Sequence, residues 1–175
     1  MIIKQFKTLQ KINIISPSIF KDHRGEFIET YSKELYKFKD ENGEILEFVE
    51  DDISVSHHNV LRGLHGDKKT WKLIQCLYGE IYFTVVDFNP MSETYLKSET
   101  IILDDKQRIQ VLVPPFYVNG YYCISEECIF SYKQSCRYSG AENQVAARWN
   151  DPILGLKWPS NNPILSQRDG SIPSI

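Results

Sequence analysis

A chain of 175 residues, with 42% hydrophobic and 25% charged residues, has a globular composition and is long enough to bury a core as one domain over 1–175. The formal net charge is −3 and Lys and Arg are mixed among Asp and Glu, which leaves no broad basic face for nucleic acid. No apolar run approaches the roughly 18 residues of a membrane span, and polar residues interrupt the N-terminal apolar ones. We therefore expect a cytoplasmic protein with neither a secretory signal nor a membrane partner.

Short β-rich runs separated by turn residues dominate the chain and predict an all-β sandwich or barrel. Gly79 joins the two most apolar runs and permits the positive φ of a tight turn, which predicts a central hairpin. In chain order, the predicted strands are Lys11–Ser16, Gly25–Thr30, Ile45–Val49, Ile53–His58, Val60–His65, Lys72–Tyr78, Glu80–Asp87, Thr94–Leu103, Gln110–Val113, Gly120–Ser125 and Cys128–Cys136.

Only two stretches have helical character. In Ser32–Lys39 a serine suits the N-cap position, and Leu35 and Phe38 lie three residues apart on one face, which predicts a short helix. Near Pro152–Leu156 we predict one helical turn at most. The tail from Asn150 contains four prolines, so it must run as extended chain. It nevertheless keeps large apolar residues, and we expect it to wrap onto the sheet and bury Ile153, Leu154, Leu156, Trp158, Ile164 and Leu165.

The cysteines and histidines do not predict a metal site. No C-x-x-C spacing occurs, and the cysteines lie in or beside apolar runs, so we expect buried free thiols. His57 and His58 are adjacent and would point to opposite faces of a strand, and His65 has no histidine two residues away. The four cysteines are Cys76, Cys123, Cys128 and Cys136.

The segment Asn59–Lys72, which includes the strand Val60–His65, carries the first candidate for chemistry. Regular alternation places His65 on the face of Leu61 and places Arg62 on the opposite face. Alone, such a histidine is more often a packed core residue than a catalyst. Arg62 and Lys72 change this balance, because cations are costly to bury unless an anion or a carbonyl oxygen meets them. One imidazole and two cations together indicate an anionic ligand or an anionic intermediate.

Two further segments are ambiguous by themselves. Tyr132 and Tyr138 lie six residues apart, on one face of a regular strand, where aromatic residues most often pack in a core. Arg24 precedes the strand Gly25–Thr30, and its turn is equally well explained as a solvated loop.

Several motifs occur in order along the chain: Asp22–Glu29, Ser54–Ser56, Leu61–His65, Trp71–Leu73, Gly79–Ile81 with Val86 and Asp87, Tyr132 with Tyr138, Asn150–Pro152, Trp158 with Pro159, and Leu165–Asp169. In these motifs, and over nearly its full length, the chain resembles the dTDP-4-dehydrorhamnose 3,5-epimerase family. The resemblance implies a cupin or jelly-roll β-sandwich with one or two short helices and an extended C-terminal segment. It also implies a nucleotide-sugar substrate, no metal or organic cofactor, and a homodimer in which the partner donates part of each site.

The resemblance implies a role for each matching residue. His65 matches the general base, Asp169 the carboxylate that orients it, and Tyr132 the general acid on the opposite face of the sugar. Lys72 matches the residue near the ketone oxygen, where positive charge stabilises the developing enolate. The expected substrate-binding residues are Arg24, Glu29, Arg62, Asn119, Tyr138, Glu50 and Asp67.

Three departures from the family pattern bear on the substrate. Asn119 stands where the family usually has a histidine, Gly66 and Asp67 follow the motif histidine, and Glu50 and Asp52 replace Gln and Asn. These variants resemble a branch that acts on GDP-linked 4-keto-heptoses in capsule biosynthesis, so GDP and dTDP remain alternatives. Inversion at carbon 3 alone and inversion at carbons 3 and 5 also remain open.

The resemblance therefore implies an isomerase that epimerises a nucleotide-linked 4-keto sugar for surface polysaccharide biosynthesis. One alternative is a sugar-nucleotide 3,4-ketoisomerase, against which Tyr132 and the Leu165–Asp169 motif argue. The other is a catalytically silent sugar-nucleotide binding module, which could lose His65 or Tyr132. Both residues are present.

Overall fold

The computed structural model describes residues 1–175 and is nearly all β. Helical structure is limited to one 3₁₀ turn over Ala141–Asn143 and one short helix, α1, over Gln167–Ser171. The strands are β1 (Ile2–Gln5), β2 (Asn13–Ser16), β3 (Ile19–Asp22), β4 (Gly25–Ile28), β5 (Glu50–His57), β6 (Leu61–Gly66), β7 (Lys72–Tyr78), β8 (Glu80–Asp87), β9 (Ser98–Asp104), β10 (Gln110–Val113), β11 (Tyr117–Cys123), β12 (Glu127–Gln134) and β13 (Val145–Ala146).

Two antiparallel sheets form the sandwich that the resemblance implies. The six-stranded sheet has the order β1-β2-β10-β7-β12-β5, and the five-stranded sheet has the order β13-β6-β11-β8-β9. Inward-facing residues of both sheets meet in one core, where the rings of Phe83 and Phe130 stack at 6.4 Å. The hairpin of β3 and β4 stands apart as a two-stranded sheet.

The strand predictions are accurate where apolar residues alternate or run together. Lys72–Tyr78, Glu80–Asp87 and Gln110–Val113 have the predicted bounds. The prediction for Ile45–Val49 is wrong, because only one isolated bridge, between Lys39 and Ile45, forms there. β1 and β3 were not predicted, since their side chains are almost all exposed and show no buried face.

The predicted helix over Ser32–Lys39 is also wrong. A single turn forms instead, in which the Tyr36 backbone N–H donates to the Ser32 carbonyl at 3.0 Å. Tyr36 is buried and donates its hydroxyl to Gln110, whereas Leu35 is exposed. Tyr36 therefore anchors this segment in the core, and Leu35 and Phe38 do not form the buried helical face that their spacing predicted.

The C-terminal segment wraps onto the sandwich as predicted. The Ile164 N–H donates to the Asn59 carbonyl, and the Leu61 N–H donates to the Ile164 carbonyl. Leu154 and Trp158 join an apolar cluster against the five-stranded sheet. The side chains of Ile153 and Ile164 are exposed, however, so the prediction that they are buried is wrong. This wrapping places α1 beside β6.

The predicted free thiols are confirmed, with Cys76, Cys123 and Cys128 buried and Cys136 half-buried. Burial raises the pKa of the Cys76 thiol to about 12, so it stays protonated at neutral pH. None of the helices has the length and apolar character that a membrane crossing would need.

Candidate active site

A bulge in β6 determines which side chains reach the interior. His65 pairs with Asn119 and Arg62 pairs with Tyr121, so β6 advances by three residues while β11 advances by two. The extra residue changes the alternation, and Arg62 and His65 both line one cavity. The prediction that Arg62 faces away from His65 is therefore wrong. Gly63 lies in the bulge with φ +123°, and a Cβ there would lie 2.6 Å from the Gly120 Cα, so this position requires glycine.

The cavity measures about 540 Å³ and lies between the two sheets, at the end covered by the C-terminal segment. A cavity of this size, with apolar walls and several convergent polar groups, is the default candidate for a ligand site. All four predicted catalytic residues line it, together with three of the predicted substrate-binding residues. They are His65, Lys72, Tyr132 and Asp169, with Arg62, Asn119 and Tyr138.

His65 and Asp169 form a hydrogen-bonded pair on one wall. The His65 Nε2 lies 2.7 Å from the Asp169 Oδ1, and the Gly63 N–H donates to the Asp169 Oδ2 at 3.3 Å. The Asp169 N–H donates to the hydroxyl of Ser166, the N-cap of α1, which fixes the carboxylate. Burial alone would raise the pKa of Asp169, but the hydrogen bond and charge of His65, with the donors at Gly63 and Ser166, hold it below its usual value. An ionised carboxylate accepts from Nε2–H, which leaves Nδ1 of His65 free to accept a proton.

Lys72 and Tyr132 form the facing wall. In the register of β7 and β12, Tyr132 pairs with Ile74, two residues from Lys72, so the two side chains share the inward face. The Lys72 Nζ lies 5.8 Å from the centroid of the Tyr132 ring and has no hydrogen-bond or ion-pair partner. Burial lowers the pKa of Lys72, while the charges of Asp67 and Asp52 oppose this shift. Burial, with the charges of Asp52 and Glu50, raises the pKa of Tyr132, which therefore keeps its proton.

Arg62 lies at the rim of the cavity and is exposed, contrary to the burial that its apolar sequence neighbours suggested. Its Nε donates to the Ser56 hydroxyl at 2.9 Å, and its Nη2 donates to the Val55 carbonyl at 3.1 Å. Nη1 has no partner within the chain. The guanidinium is thus held in place with donors still available for an anion.

Asn119, which stands where the family usually has a histidine, supports the base. Its Nδ2 donates to the His65 carbonyl at 3.2 Å and so ties β11 to β6 next to the imidazole. Asn119 is buried against the cavity. Its carboxamide cannot titrate, so it serves as a fixed hydrogen-bonding group.

Glu50 and Asp52 do not line the cavity. Glu50 accepts from the Gln134 side chain at 2.7 Å and from the Tyr138 backbone N–H at 3.1 Å, and Asp52 also accepts from Gln134. Both carboxylates therefore hold the segment that carries Tyr138 at the rim.

A second cavity of about 500 Å³ adjoins the first and shares Tyr138 with it. Lys68, Lys69 and Arg137 line it and form no hydrogen bond or ion pair through their side chains. Asp67 also lines it, but its carboxylate caps the loop by accepting from two backbone N–H groups. The second cavity is therefore a cationic extension of the first.

Arg24 and Glu29 are not brought to either cavity. Arg24 lies in the turn of the β3–β4 hairpin, is almost fully exposed and forms an ion pair with Asp22 at 2.7 Å. Glu29 follows β4 and is also exposed. Within one chain, the structure separates both residues from the other predicted site residues.

Several residues that line the cavity were not identified from the sequence. Arg168 Nη1 donates to the Gln144 Oε1 at 2.9 Å, and both residues line the cavity. Ser166 carries a recognisable signal, because a serine three residues before an acidic residue is typical of a helix N-terminus. Gln144 lies in an irregular segment and carries no signal. The other polar lining residues without a predicted role are Ser54 and Tyr121.

No group of three or more His, Cys, Asp or Glu side chains is arranged to hold a metal ion.

The family model described as dTDP-4-dehydrorhamnose 3,5-epimerase matches residues 7–175. The enzyme of that name from Methanothermobacter thermautotrophicus is 35% identical over 161 residues, 89% of this chain and 85% of the relative.

Two solved structures are similar over nearly the whole chain. The dTDP-4-dehydrorhamnose 3,5-epimerase from Bacillus anthracis, with TDP and PPi bound, has a TM-score of 0.90 and 31% identity, and the match covers 99% of this chain and 98% of the other. A dTDP-6-deoxy-D-glucose-3,5-epimerase from Legionella pneumophila, in complex with dTDP-4-keto-L-rhamnose, has a TM-score of 0.88 and 30% identity, with coverage of 97% and 90%.

Proposed function

Because the chain belongs to the dTDP-4-dehydrorhamnose 3,5-epimerase family, we propose that it inverts carbons 3 and 5 of a 4-keto sugar linked to a nucleoside diphosphate. One observation carries this proposal. The paired base His65–Asp169 on one wall of the cavity faces Lys72 and Tyr132 on the other wall. Epimerisation requires a base and an acid on opposite faces of the sugar, and this arrangement supplies both.

The first step removes a proton from the carbon beside the ketone. His65 Nδ1 takes the proton, and the electron pair of the broken C–H bond moves onto the ketone oxygen to form an enolate. The buried ammonium of Lys72 stabilises that negative charge, more strongly than it would in water. Asp169 holds the imidazole tautomer and stabilises the imidazolium that forms.

The second step returns a proton from the opposite face. Tyr132 donates its hydroxyl proton to the same carbon, the carbonyl re-forms, and the configuration is inverted. Proton exchange with solvent then returns His65 and Tyr132 to their starting states. The same pair can act at the second carbon, because both positions flank the ketone and share its acidity.

A diphosphate is supported by the charges around the cavities. The chain as a whole carries a net charge of −3, yet Arg62 and Arg168 line the first cavity and Lys68, Lys69 and Arg137 line the second. Such a local excess of cations favours an anionic ligand. The relatives reported above are named for dTDP-linked substrates, so dTDP is the first nucleotide to test. A GDP-linked heptose stays a prediction from the sequence variants.

We also propose that the protein acts as a homodimer in which the β3–β4 hairpin completes the partner's site. Phe20 and Phe27 lie directly opposite each other on this hairpin, and 63% and 70% of their surfaces are exposed. Exposed aromatic pairs of this kind are typical of an interface. In the six-stranded sheet β2 is paired on both sides within the chain, so β1 and β5 are the edge strands of that sheet.

The test follows each ring position by NMR while the protein is incubated in deuterated water with dTDP- and GDP-linked 4-keto sugars. We expect deuterium to enter at carbons 3 and 5, with inversion at both. His65→Asn should abolish exchange, and Tyr132→Phe should retain some exchange without inversion. His57→Asn, a change in an exposed histidine outside the cavity, is the matched control and should turn over normally. Full turnover by His65→Asn, or migration of the carbonyl without inversion, would contradict the proposal.

A further inference from the structure

A chain of hydroxyl groups connects β5 to β11 in the wall of the cavity. Ser54 and Ser56 lie two residues apart on the inward face of β5, and the Tyr121 hydroxyl lies 2.8 Å from each. The Arg62 Nε–H donates to the Ser56 hydroxyl at 2.9 Å. Four side chains therefore form one continuous hydrogen-bonded network, which begins at a guanidinium and ends at Ser54.

The number of protons fixes the direction of this network. Arg62 can only donate, so the Ser56 oxygen accepts from it. The buried Ser56 hydroxyl has one proton, and its only other partner is Tyr121, so Ser56 donates to Tyr121. The Tyr121 proton is then directed to Ser54. The Ser54 hydroxyl proton is left over, and Ser54 lines the cavity.

We propose, on the basis of the function proposed above, that Ser54 binds substrate as a hydrogen-bond donor and that Tyr121 is the positioning residue that makes it one. The Ser54 oxygen already accepts from Tyr121, so its hydroxyl proton is the group available to substrate. The substrate atom that Ser54 binds must therefore be an acceptor oxygen. Reversing the network would leave the buried Ser56 proton without an acceptor, which is costly.

The place of Ser54 in the sheet locates this oxygen. Ser54 pairs with Phe130, and Tyr132 pairs with Asp52, two residues along the same strand. Ser54 therefore lies between Tyr132, which faces the sugar, and the Ser56–Arg62 contact at the rim. The acceptor belongs either to the sugar or to the phosphate next to it. The Tyr121 ring stacks on Phe130 at 4.3 Å, so its position does not depend on the hydroxyl.

Removal of single hydroxyl groups tests the proposal in the full-length protein. Tyr121→Phe keeps the stacked ring, and we expect it to raise KM about tenfold, the effect of losing one directed hydrogen bond, with little change in kcat. Ser54→Ala should have the same effect. The matched control is Tyr122→Phe, which removes the neighbouring buried tyrosine's hydrogen bond to Asn59 outside this network and should leave KM unchanged.

The double variant Tyr121→Phe/Ser54→Ala separates a directed network from general loosening. If Tyr121 acts through Ser54, the double variant should bind within about twofold of Ser54→Ala, whereas independent effects would multiply. Multiplied effects, or a Tyr121→Phe variant that matches Tyr122→Phe, would overturn the proposal.

Calorimetric binding of dTDP and GDP, measured for the same variants, locates the acceptor oxygen. If Ser54→Ala weakens binding of the free nucleotides and of the sugar nucleotide equally, the oxygen belongs to the diphosphate. If it weakens only the sugar nucleotide, the oxygen belongs to the sugar. No loss for either ligand would overturn the proposal. Failure of the wild-type protein to turn over any 4-keto sugar would instead contradict the proposed function, and nucleotide binding would still report on the network.

Discussion

Lys72 is the residue at which the needs of folding and of catalysis conflict most clearly. Lys72 is 9% exposed, and no carboxylate or carbonyl within the chain meets its ammonium. Burying a cation without a partner destabilises the folded state. The same unpaired charge is available to an enolate oxygen, so the cost in stability is explained by the proposed reaction.

Replacing Lys72 by Met should therefore stabilise the protein and inactivate it. At pH 7 we expect the free energy of unfolding to rise by about 1 kcal/mol, the low end of the cost of burying a polar group without a partner, because the buried charge is removed. Burial lowers the pKa of Lys72 in the folded state below its ordinary value of 10.5. Between the folded-state pKa and 10.5, the folded state binds fewer protons than the unfolded state, so the stability of the wild type rises with pH. The gain in the variant should thus shrink as the pH approaches 10.5. Urea unfolding across pH 7 to 10.5 measures it.

The outcome that would contradict this prediction is a Lys72→Met variant less stable than the wild type at pH 7. Lys106, in an exposed turn, provides the control. Lys106→Met should change neither turnover nor the pH dependence of stability by more than a small amount. If the Lys72 variant is stabilised but inactive and the Lys106 variant is unchanged, the buried charge of Lys72 is what lowers stability and supports activity.

The chemical types of the site residues could be predicted from the sequence, but not all of their partners. His65 and Asp169 lie 104 positions apart, and only the order of motifs connected them before the structure placed them at 2.7 Å. Ser54 belonged to the matching motif Ser54–Ser56 but had no assigned role, and Tyr121 carried no comparable signal. Hydroxyl groups on inward-facing strand positions are common in sandwiches, and their direction emerges only from the complete set of neighbours.

At the scale of the element, the bulge in β6 limits what periodicity can predict. Strands such as β7 and β8 follow simple alternation or continuous burial, and their bounds could be read directly. One extra residue in β6 reverses the expected face of Arg62. The pattern of apolar residues does not reveal this bulge. The signal that points to it is Gly63, because a glycine within a strand often marks a bulge.

Gly63→Ala should disrupt this bulge. The position has φ +123°, and the new Cβ would lie 2.6 Å from the backbone of Gly120, where neither strand can yield easily. Backbone strain and overpacking together should cost about 2–5 kcal/mol of unfolding free energy. Turnover should be lost even at temperatures where the variant is still folded, because Arg62 and His65 flank the bulge. Thermal and urea unfolding, with turnover, measure both effects.

Gly170→Ala is the matched control for this change. Gly170 lies in α1, and a Cβ there meets nothing within 4 Å. In a helix, alanine is favoured over glycine by up to about 1 kcal/mol, so this variant should be as stable as the wild type or slightly more so. Equal behaviour of the two alanine variants would show that the bulge does not depend on Gly63.

At the scale of the whole molecule, the hairpin of β3 and β4 is the element that one chain leaves unexplained. Its motif, Asp22–Glu29, matches the family's nucleotide contacts, yet Arg24 lies at an exposed turn away from the cavity. The sequence could identify the motif but not which subunit's cavity it serves, since that depends on a surface outside the chain. The exposed pair Phe20 and Phe27 on this same hairpin agrees with the proposal that a partner subunit covers it.

Complementation between two inactive variants tests whether the hairpin serves a partner. Arg24→Ala and His65→Asn should each lose most activity alone. In a mixed dimer, one site would combine the intact His65 of one subunit with the intact Arg24 of the other and would work. Each mixed dimer has one working site of two, so the purified mixed dimer should show about half of the wild-type activity. Co-expression with two tags and turnover of the doubly purified species measures this recovery.

The control for complementation pairs two variants whose defects belong to the same half of the site. His65→Asn and Tyr132→Phe both alter the cavity of one chain, so a mixed dimer of these two contains no intact site and should stay inactive. If activity recovers in the first pair and not in the second, Arg24 must act across the interface. No other combination of the two subunits' residues restores a site. If neither mixed dimer is active although each variant is folded and dimeric, Arg24 does not act in the partner's site. The exposed aromatic residues of the hairpin would then have no role in catalysis.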